Sequence, residues 1–283
     1  MNFVDYGDFY RDLKTHGPAY AAQRAARLGF AGVELLHTSR STARWDSPMP
    51  AAEIRKILDA NGLFCACCSL EIDLSSHVAP ERLETVWCLI EDAAVLGASY
   101  FHHTLVPTLN PADLTVPYRA LLERIFPYAL QIANRCADYG ITCLYEPQGV
   151  CFNGVEGLGG FYRRIAAAAP NVGICGDVGN GLFADTSAKE IYNAFLPAIR
   201  HVHLKDYRVS DVPFEGARTL RSRTGNYLCE CPLGEGVTDF SYCFDALRRV
   251  GYTGAFSFEF NGSDEAILDA MDFVRHLYGA GQC

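Results

Sequence analysis

Apolar residues along this chain fall into two alternating rhythms. Short, dense runs rich in valine, isoleucine, phenylalanine and cysteine are separated by longer stretches in which apolar positions return every three to four residues. The first rhythm predicts buried strands, and the second predicts helices packed on them by one face. Strands are expected at 32–36, 63–69, 99–104, 141–146, 172–177, 200–208 and 255–260, with a weaker one around Phe3 and Val4. Helices are expected at 18–28, 51–60, 80–96, 118–139, 158–168, 187–196, 240–250 and 264–278. Gly29, Asn61-Gly62, Gly97 and Gly140 mark ends, Pro80 opens a first turn, and Pro127 interrupts the longest helix.

Strand and helix thus alternate eight times once the weak start is counted. Such alternation builds a parallel sheet with crossover helices. No glycine-rich dinucleotide fingerprint follows an early strand, which weighs against an open nucleotide-binding sheet. A chain of 283 residues with no linker or shift in composition fits one (β/α)8 barrel domain over 1–283, a fold that typically takes about 250 residues.

Composition narrows the partners. The chain is 49% hydrophobic and 20% charged, as expected of a globular protein, and its net charge of −9 argues against nonspecific nucleic-acid binding. A small molecule is the better partner. No apolar run approaches the roughly 20 residues of a membrane span, and the first residues lack the basic-then-apolar order of a signal peptide. A cytoplasmic protein with no membrane partner is therefore expected. Twelve cysteines lie mostly in apolar segments, as at Cys65, Cys67, Cys68, Cys143 and Cys175, and read as reduced, buried thiols. Cys229 and Cys231 read as two ordinary thiols, because no second pair at zinc-site spacing follows.

Candidate chemistry begins at RHVHLKDYR, 200–208. A period of two places His201, His203 and Lys205 on one face and Val202, Leu204 and Asp206 on the other. Four consecutive strands then carry a group suited to a divalent cation: Glu146, Asp177, His203 and Glu259. In a barrel their C-terminal ends adjoin at the mouth. Three carboxylates and one imidazole suit Mn²⁺, Mg²⁺ or Co²⁺ and tolerate Zn²⁺. Strand-end acids also serve solubility or local ion pairs, but acids gathered at one mouth repel unless a cation or protons neutralise them.

Other inward positions follow from their neighbours. Phe101 on the helix side sends His102 into the barrel, where a satisfied core histidine is the alternative reading, and Val33 and Leu35 do the same for Glu34. Lys205 either touches a substrate oxygen or pairs with Glu259. The long polar segment 207–237 carries Arg208, Arg218, Arg221 and Arg223. It reads as a lid loop whose arginines hold a phosphate or carboxylate, or as a solvated surface loop.

The four strand-end residues, with GFAGVEL at 29–35, HVHLKD at 201–206 and PLGEG at 232–236, resemble the xylose isomerase-like barrel family from about Leu28 to the C-terminus. The family contains sugar phosphate isomerases and epimerases, ketose 3-epimerases, hydroxypyruvate isomerase, inosose dehydratase and endonuclease IV. The resemblance implies a small carbohydrate substrate and one divalent metal ion held by Glu146, Asp177, His203 and Glu259, with Mn²⁺ first among Mn²⁺, Mg²⁺, Co²⁺ and Zn²⁺. It implies an isomerase or epimerase of a keto-sugar or sugar phosphate that works through an enediolate, Glu146 and Glu259 removing and returning the proton.

Lys205, His102, Gln148, Asn180 and Glu34 complete the expected substrate contacts. Two positions depart from the family. Epimerases commonly carry a histidine three residues after the strand-six aspartate, where Asn180 stands, and several dehydratases carry one two residues after the strand-five glutamate, where Gln148 stands. A lyase that dehydrates an inosose or dehydroshikimate, with Lys205 or His102 as proton donor, is the second expectation, and a barrel that binds sugar without turnover is the third. The histidines and acids of a three-metal endonuclease IV cluster are not found, which argues against DNA repair. Relatives are commonly dimers or tetramers, and a homo-oligomer stays open.

Overall fold

The apolar runs pair side by side until the sheet closes on itself, so that no strand edge is left for water. The computed structural model describes residues 1–75, 80–109 and 116–279. The chain opens with β1 (Asn2–Asp5), α1 (Gly7–His16), α2 (Pro18–Leu28), β2 (Gly32–His37), α3 (Ala51–Ala60), β3 (Phe64–Leu70) and α4 (Pro80–Leu96). It continues with β4 (Tyr100–His103), α5 (Tyr118–Asp138), β5 (Thr142–Tyr145), α6 (Gly149–Phe152), α7 (Val155–Ala168), β6 (Val172–Cys175), α8 (Ala188–Phe195) and β7 (Ile199–Leu204). Three short strands follow, β8 (Asp206–Ser210), β9 (Leu220–Arg221) and β10 (Tyr227–Cys231), before α9 (Phe240–Arg249), β11 (Ala255–Phe258) and α10 (Asp264–Gly279).

Going round the barrel the order is β1, β11, β7, β6, β5, β4, β3, β2, with every pairing parallel. This is the expected (β/α)8 barrel. The weak first strand is real: Val4 stands level with Ser257 on one side and Gly32 on the other. Two helices, α1 and α6, have no counterpart in the sequence reading. Among the described residues no helix is long and apolar enough to cross a membrane.

Side chains alternate across each strand, and the two faces differ in size. Outward, Phe101, Tyr145, Phe256 and Phe258 are fully buried against the helices. Phe256 meets Phe244 edge-on at 5.5 Å, and Tyr145 meets Phe161 at 4.8 Å. Each ring removed from water contributes roughly 2–3 kcal/mol, so this outer shell carries much of the stability. Inward, the residues are small: Val4, Ala66 and Ala255 form one group, and Cys67, Leu144 and Cys175 another. Above them lies a buried polar layer of Glu34, Ser69, His102, His201, His203 and Ser257. Register shifts beside Val33/Glu34 and Ile174/Cys175 leave Ala66 of β3 and Arg200 of β7 as the extra residues and alter the local aim of those two strands.

The segment read as a lid loop or a solvated surface loop is built on an antiparallel sheet, ordered β8, β10, β9. Asp206 anchors it. This buried carboxylate accepts from the backbone N–H groups of Tyr207 (2.9 Å), Gly234 (3.0 Å), Gly236 (2.8 Å) and Thr238 (3.1 Å), which explains why HVHLKD and PLGEG occur together. A Cβ at residue 236 would overlap the Asp206 carboxylate, so only glycine fits there. Phe183, Tyr207 and Leu228 form an apolar cluster beneath the sheet. Its turn is pinned by Thr224 on Asp185 and by the Arg223 guanidinium, which donates to Val150 O at 2.6 Å.

Three of the four loop arginines are engaged at separate places. Arg208 pairs with Glu235, Arg221 lies over the Tyr227 ring and donates to Gly225 O, and Arg223 is held by Val150. Regular hydrogen bonding replaced the expected loop because YLCEC at 227–231 alternates like a strand even though its flanks are polar.

Asp5, at the end of β1, is 2% exposed and accepts the Phe9 N–H at 3.0 Å, fixing the first turn of α1. Burial pushes its carboxyl up to about 7, against the pull of that hydrogen bond. In the unfolded chain the group ionises near pH 4, so the unfolded state gives up its proton first and stability falls as pH rises from about 4 to about 7, by on the order of 4 kcal/mol. Asp5→Asn keeps an acceptor for Phe9. It is expected to be the more stable protein at pH 8 and to lose that advantage towards pH 4, which urea titrations at the two pH values will measure.

Candidate metal centre and active site

Barrel order brings β11, β7, β6 and β5 side by side, and each delivers one group to the same point. Glu146 and Glu259 directly follow β5 and β11, Asp177 lies two residues beyond β6, and His203 projects from β7. One ligand atom from each lies within 4.8 Å of all the others. His203 Nδ1 is 3.1 Å from Glu146 Oε2 and 3.0 Å from Glu259 Oε2.

The oxygens are disposed for a cation. Asp177 Oδ1 accepts the backbone N–H groups of Gly179 and Asn180, which fixes the turn after β6 and leaves Oδ2 for the cluster. Asp177 Oδ2 and Glu259 Oε2 are buried and make no well-formed hydrogen bond, their nearest polar neighbours being Lys205 Nζ at 3.3 Å and His203 Nδ1 at 3.0 Å. Buried carboxylate oxygens normally find one. Three carboxylates and an imidazole nitrogen form a hard, oxygen-rich donor set, and a divalent ion fits it.

Lys205 is the cationic member of the group. Its Nζ lies 2.7 Å from Glu259 Oε1 and 3.3 Å from Asp177 Oδ2, and it donates to Asn180 Oδ1 at 3.2 Å. Asn180 Nδ2 in turn donates to Gln148 Oε1 at 3.0 Å. The pairing with Glu259 that the sequence left as an alternative is therefore present.

The carboxyls are not equivalent. Burial pushes Asp177 up to about 7 in spite of Lys205. Burial also raises Glu146, against the contact with His203. Burial works the same way on Glu259, yet Lys205 and His203 outweigh it and hold that carboxyl at about 2.

His102 flanks Glu146, with Nε2 3.3 Å from Glu146 Oε1 and Nδ1 3.1 Å from Ser69 Oγ. Burial and the neighbouring His203 push its pKa down to about 3, so the ring is neutral. The structure thus gathers Glu146, Asp177, His203, Glu259 and Lys205 into one cluster, with Asn180, Gln148 and His102 attached at its edges. Glu34 is placed differently from the substrate contact expected of it. It lies beneath His203 with no exposed surface; its oxygens accept from Ser69 and Ser257 and lie within hydrogen-bond distance of His201 and His203.

Three further residues went unmarked in the sequence. Tyr6 places its ring 5.2 Å from that of His203, while Ser69 and Ser257 both donate to Glu34. For Ser257 the signal was available: it stands two residues before Glu259, between Phe256 and Phe258, on the inward phase of the strand. Tyr6 had none, being one aromatic residue between Asp5 and Gly7 in a start with no clear periodicity. A cavity of about 740 Å³ bordered by Tyr118, Cys151, Glu156, Thr186, Glu190 and Arg223 contains none of the cluster residues.

A closed (β/α)8 barrel with a candidate metal site at the C-terminal ends of its strands defines the class of protein. The chain belongs to the xylose isomerase-like TIM barrel family, whose model matches residues 22–277. It is 32% identical over 151 residues to an inosose dehydratase of Geobacillus thermodenitrificans, which covers 51% of this chain and 48% of that protein. The match spans about half the length of that relative. Among solved structures, D-psicose 3-epimerase of Clostridium cellulolyticum H10 superposes with a TM-score of 0.74 at 15% identity, covering 98% of this chain and 99% of that one. A xylose isomerase-like TIM barrel protein of Mycobacterium smegmatis, solved in complex with magnesium, gives 0.70 at 20% identity over 100% of this chain and 98% of that one.

Proposed function

We propose that the protein is a divalent-metal-dependent isomerase or epimerase of a small keto-sugar, acting through an enediolate. The observation that carries this reading is the convergence of Glu146 and Glu259, from strands on opposite sides of β7, on the nitrogen of His203. Glu146, Asp177, His203 and Glu259 would hold the ion, a set of three carboxylates and one imidazole that suits Mn²⁺, Mg²⁺ or Co²⁺ and tolerates Zn²⁺. A bound ion would supply Lewis acidity at the substrate carbonyl, lowering the barrier to loss of the α-proton.

The residues of the chain do the rest. Glu146 takes the α-proton, and Lys205 Nζ donates a hydrogen bond to the oxygen that gains charge. Asn180 and Gln148, tied to each other and to Lys205, orient substrate hydroxyls. Glu259, ionised at rest, takes up a proton from solvent and delivers it to carbon, inverting the centre or completing the shift between neighbouring carbons, while Glu146 releases its own proton to solvent. Net turnover moves one proton and consumes no co-reactant.

The Geobacillus inosose dehydratase favours a second reading. In it the same first step is followed by loss of the hydroxyl β to the carbonyl as water, protonated by Lys205. Incubation with psicose, inosose and dehydroshikimate in D₂O, followed by NMR, separates the readings. Deuterium at the α-carbon with the hydroxyl count unchanged supports the isomerase, and an unsaturated product supports the lyase. Sugar binding with no exchange at all would leave only a non-catalytic barrel.

A further inference from the structure

The small sheet β8, β10, β9 stands beside the cluster, and one of its faces looks into the mouth. Lys205 and the buried ring of Tyr207 meet at the turn after β6: a Cβ at residue 179 would lie 2.6 Å from Lys205 Cγ and 3.0 Å from Tyr207 Cε2. In the antiparallel ladder Glu230 of β10 is directly opposite Tyr207. Opposed residues share a face of a sheet, with Cβ atoms about 4.5–5.5 Å apart, so Glu230 leans towards Lys205 and Glu259. The electrostatics agree with that placement. Partial burial raises the Glu230 carboxyl, while Lys205 pulls it down and Glu259 pushes it up. The residue keeps its contact with solvent, as a group at an open mouth must.

We propose that Glu230 is a specificity residue that selects an uncharged polyhydroxy ketone over its phosphate ester, its carboxylate accepting a hydrogen bond from the hydroxyl farthest from the carbonyl. The proposal rests on the reading of the cluster as the site of a keto-sugar enzyme. Among the described residues no side chain donates to the Glu230 carboxylate, so its lone pairs are open to a ligand hydroxyl. Hydrogen bonds to a charged acceptor are the stronger kind.

The cations that could hold a phosphate are committed. Lys205 lies between Glu259 and Asp177, while Arg208, Arg221 and Arg223 are engaged with Glu235, the Tyr227 ring and Val150 O. Arg218 is exposed and its charge acts on Glu230, whose carboxylate offsets it. Residues 76–79 and 110–115 contain no lysine or arginine. A phosphate arriving at the mouth therefore meets Glu230 and Glu259 before any cation free to receive it. Repulsion of this kind rejects a wrong partner more sharply than an added attraction selects the right one.

The test matches psicose and inosose with their monophosphates, assayed on the Mn²⁺-loaded full chain at pH 8. The free sugars are expected to be preferred by roughly 100-fold in kcat/KM. Glu230→Gln, which keeps the shape and removes the charge, is expected to narrow that preference about tenfold, and Glu230→Lys to narrow it further. Glu230→Ala is expected to lose about tenfold in kcat/KM on psicose and to match wild type on 6-deoxypsicose, which lacks the outer hydroxyl. A merely structural role for Glu230 would lower both alike.

A wild type that prefers the phosphorylated sugars would overturn the proposal. So would an equal loss on psicose and 6-deoxypsicose, or a preference unchanged in both Glu230→Gln and Glu230→Lys. Should none of these compounds turn over, the keto-sugar enzyme reading falls, and titration calorimetry with the same pairs decides the role of Glu230. Tighter binding of the free sugar that Glu230→Lys abolishes would sustain it, and equal or absent binding would overturn it.

Discussion

Glu146→Gln is expected to lower kcat/KM by roughly 10⁴ while leaving the barrel folded. A positioned carboxylate acting as base contributes about 10²–10⁴ in rate, and the amide also withdraws a negative oxygen from the ion's ligand set. The shape is retained, and the position lies above the apolar shell that holds the fold, so circular dichroism and the melting temperature should stay close to wild type. Glu259→Gln is expected to stop net turnover to a similar extent, with one difference. If Glu146 removes the proton and Glu259 returns it, solvent deuterium still enters the substrate in Glu259→Gln and does not in Glu146→Gln. Normal turnover by Glu146→Gln would remove the basis of the mechanism.

Stripping divalent ions with a chelator is expected to abolish turnover and to lower stability, with Mn²⁺ restoring both. The stability effect follows from the geometry. Without a cation, Glu146, Asp177 and Glu259 meet with only Lys205 and His203 to offset them. An ion present at about 100 times its dissociation constant contributes about 2.7 kcal/mol through mass action. Thermal melts with and without Mn²⁺, alongside activity measured on the same samples, will test both effects. Full activity after exhaustive chelation would overturn the metal requirement.

Much of the fold was legible because the barrel imposes two strict periodicities. Runs such as Val172 to Cys175, apolar on both faces and set between helical patterns, fit buried parallel strands, and the helices between them show one apolar face. The cluster at the mouth was legible for a related reason: strand-end acids in consecutive elements are placed together by topology before any side chain is considered. Helix α6 was not legible, since GVCF makes a single turn and its composition suits a strand equally well. Nor was α1, whose start depends on the Asp5 carboxylate and not on a capping residue at the helix boundary.

The depth of Glu34 was missed because period two gives the face of a strand but not the height along the barrel axis. Both Glu34 and His203 point inward, and only the register of β2, β3 and β7 around the barrel puts one beneath the other. The small sheet after β7 was missed because its anchor, Asp206, works through backbone groups about thirty residues away.

Among the four candidate ligands, Glu259 has a side chain 26% exposed, while those of Glu146, Asp177 and His203 are at most 4% exposed. The cluster thus opens to solvent at Glu259. On the proposed function, a sugar resting there would sit between the ion and solvent, so the cation would load before the ketose and a saturating sugar would shield it from a competing chelator.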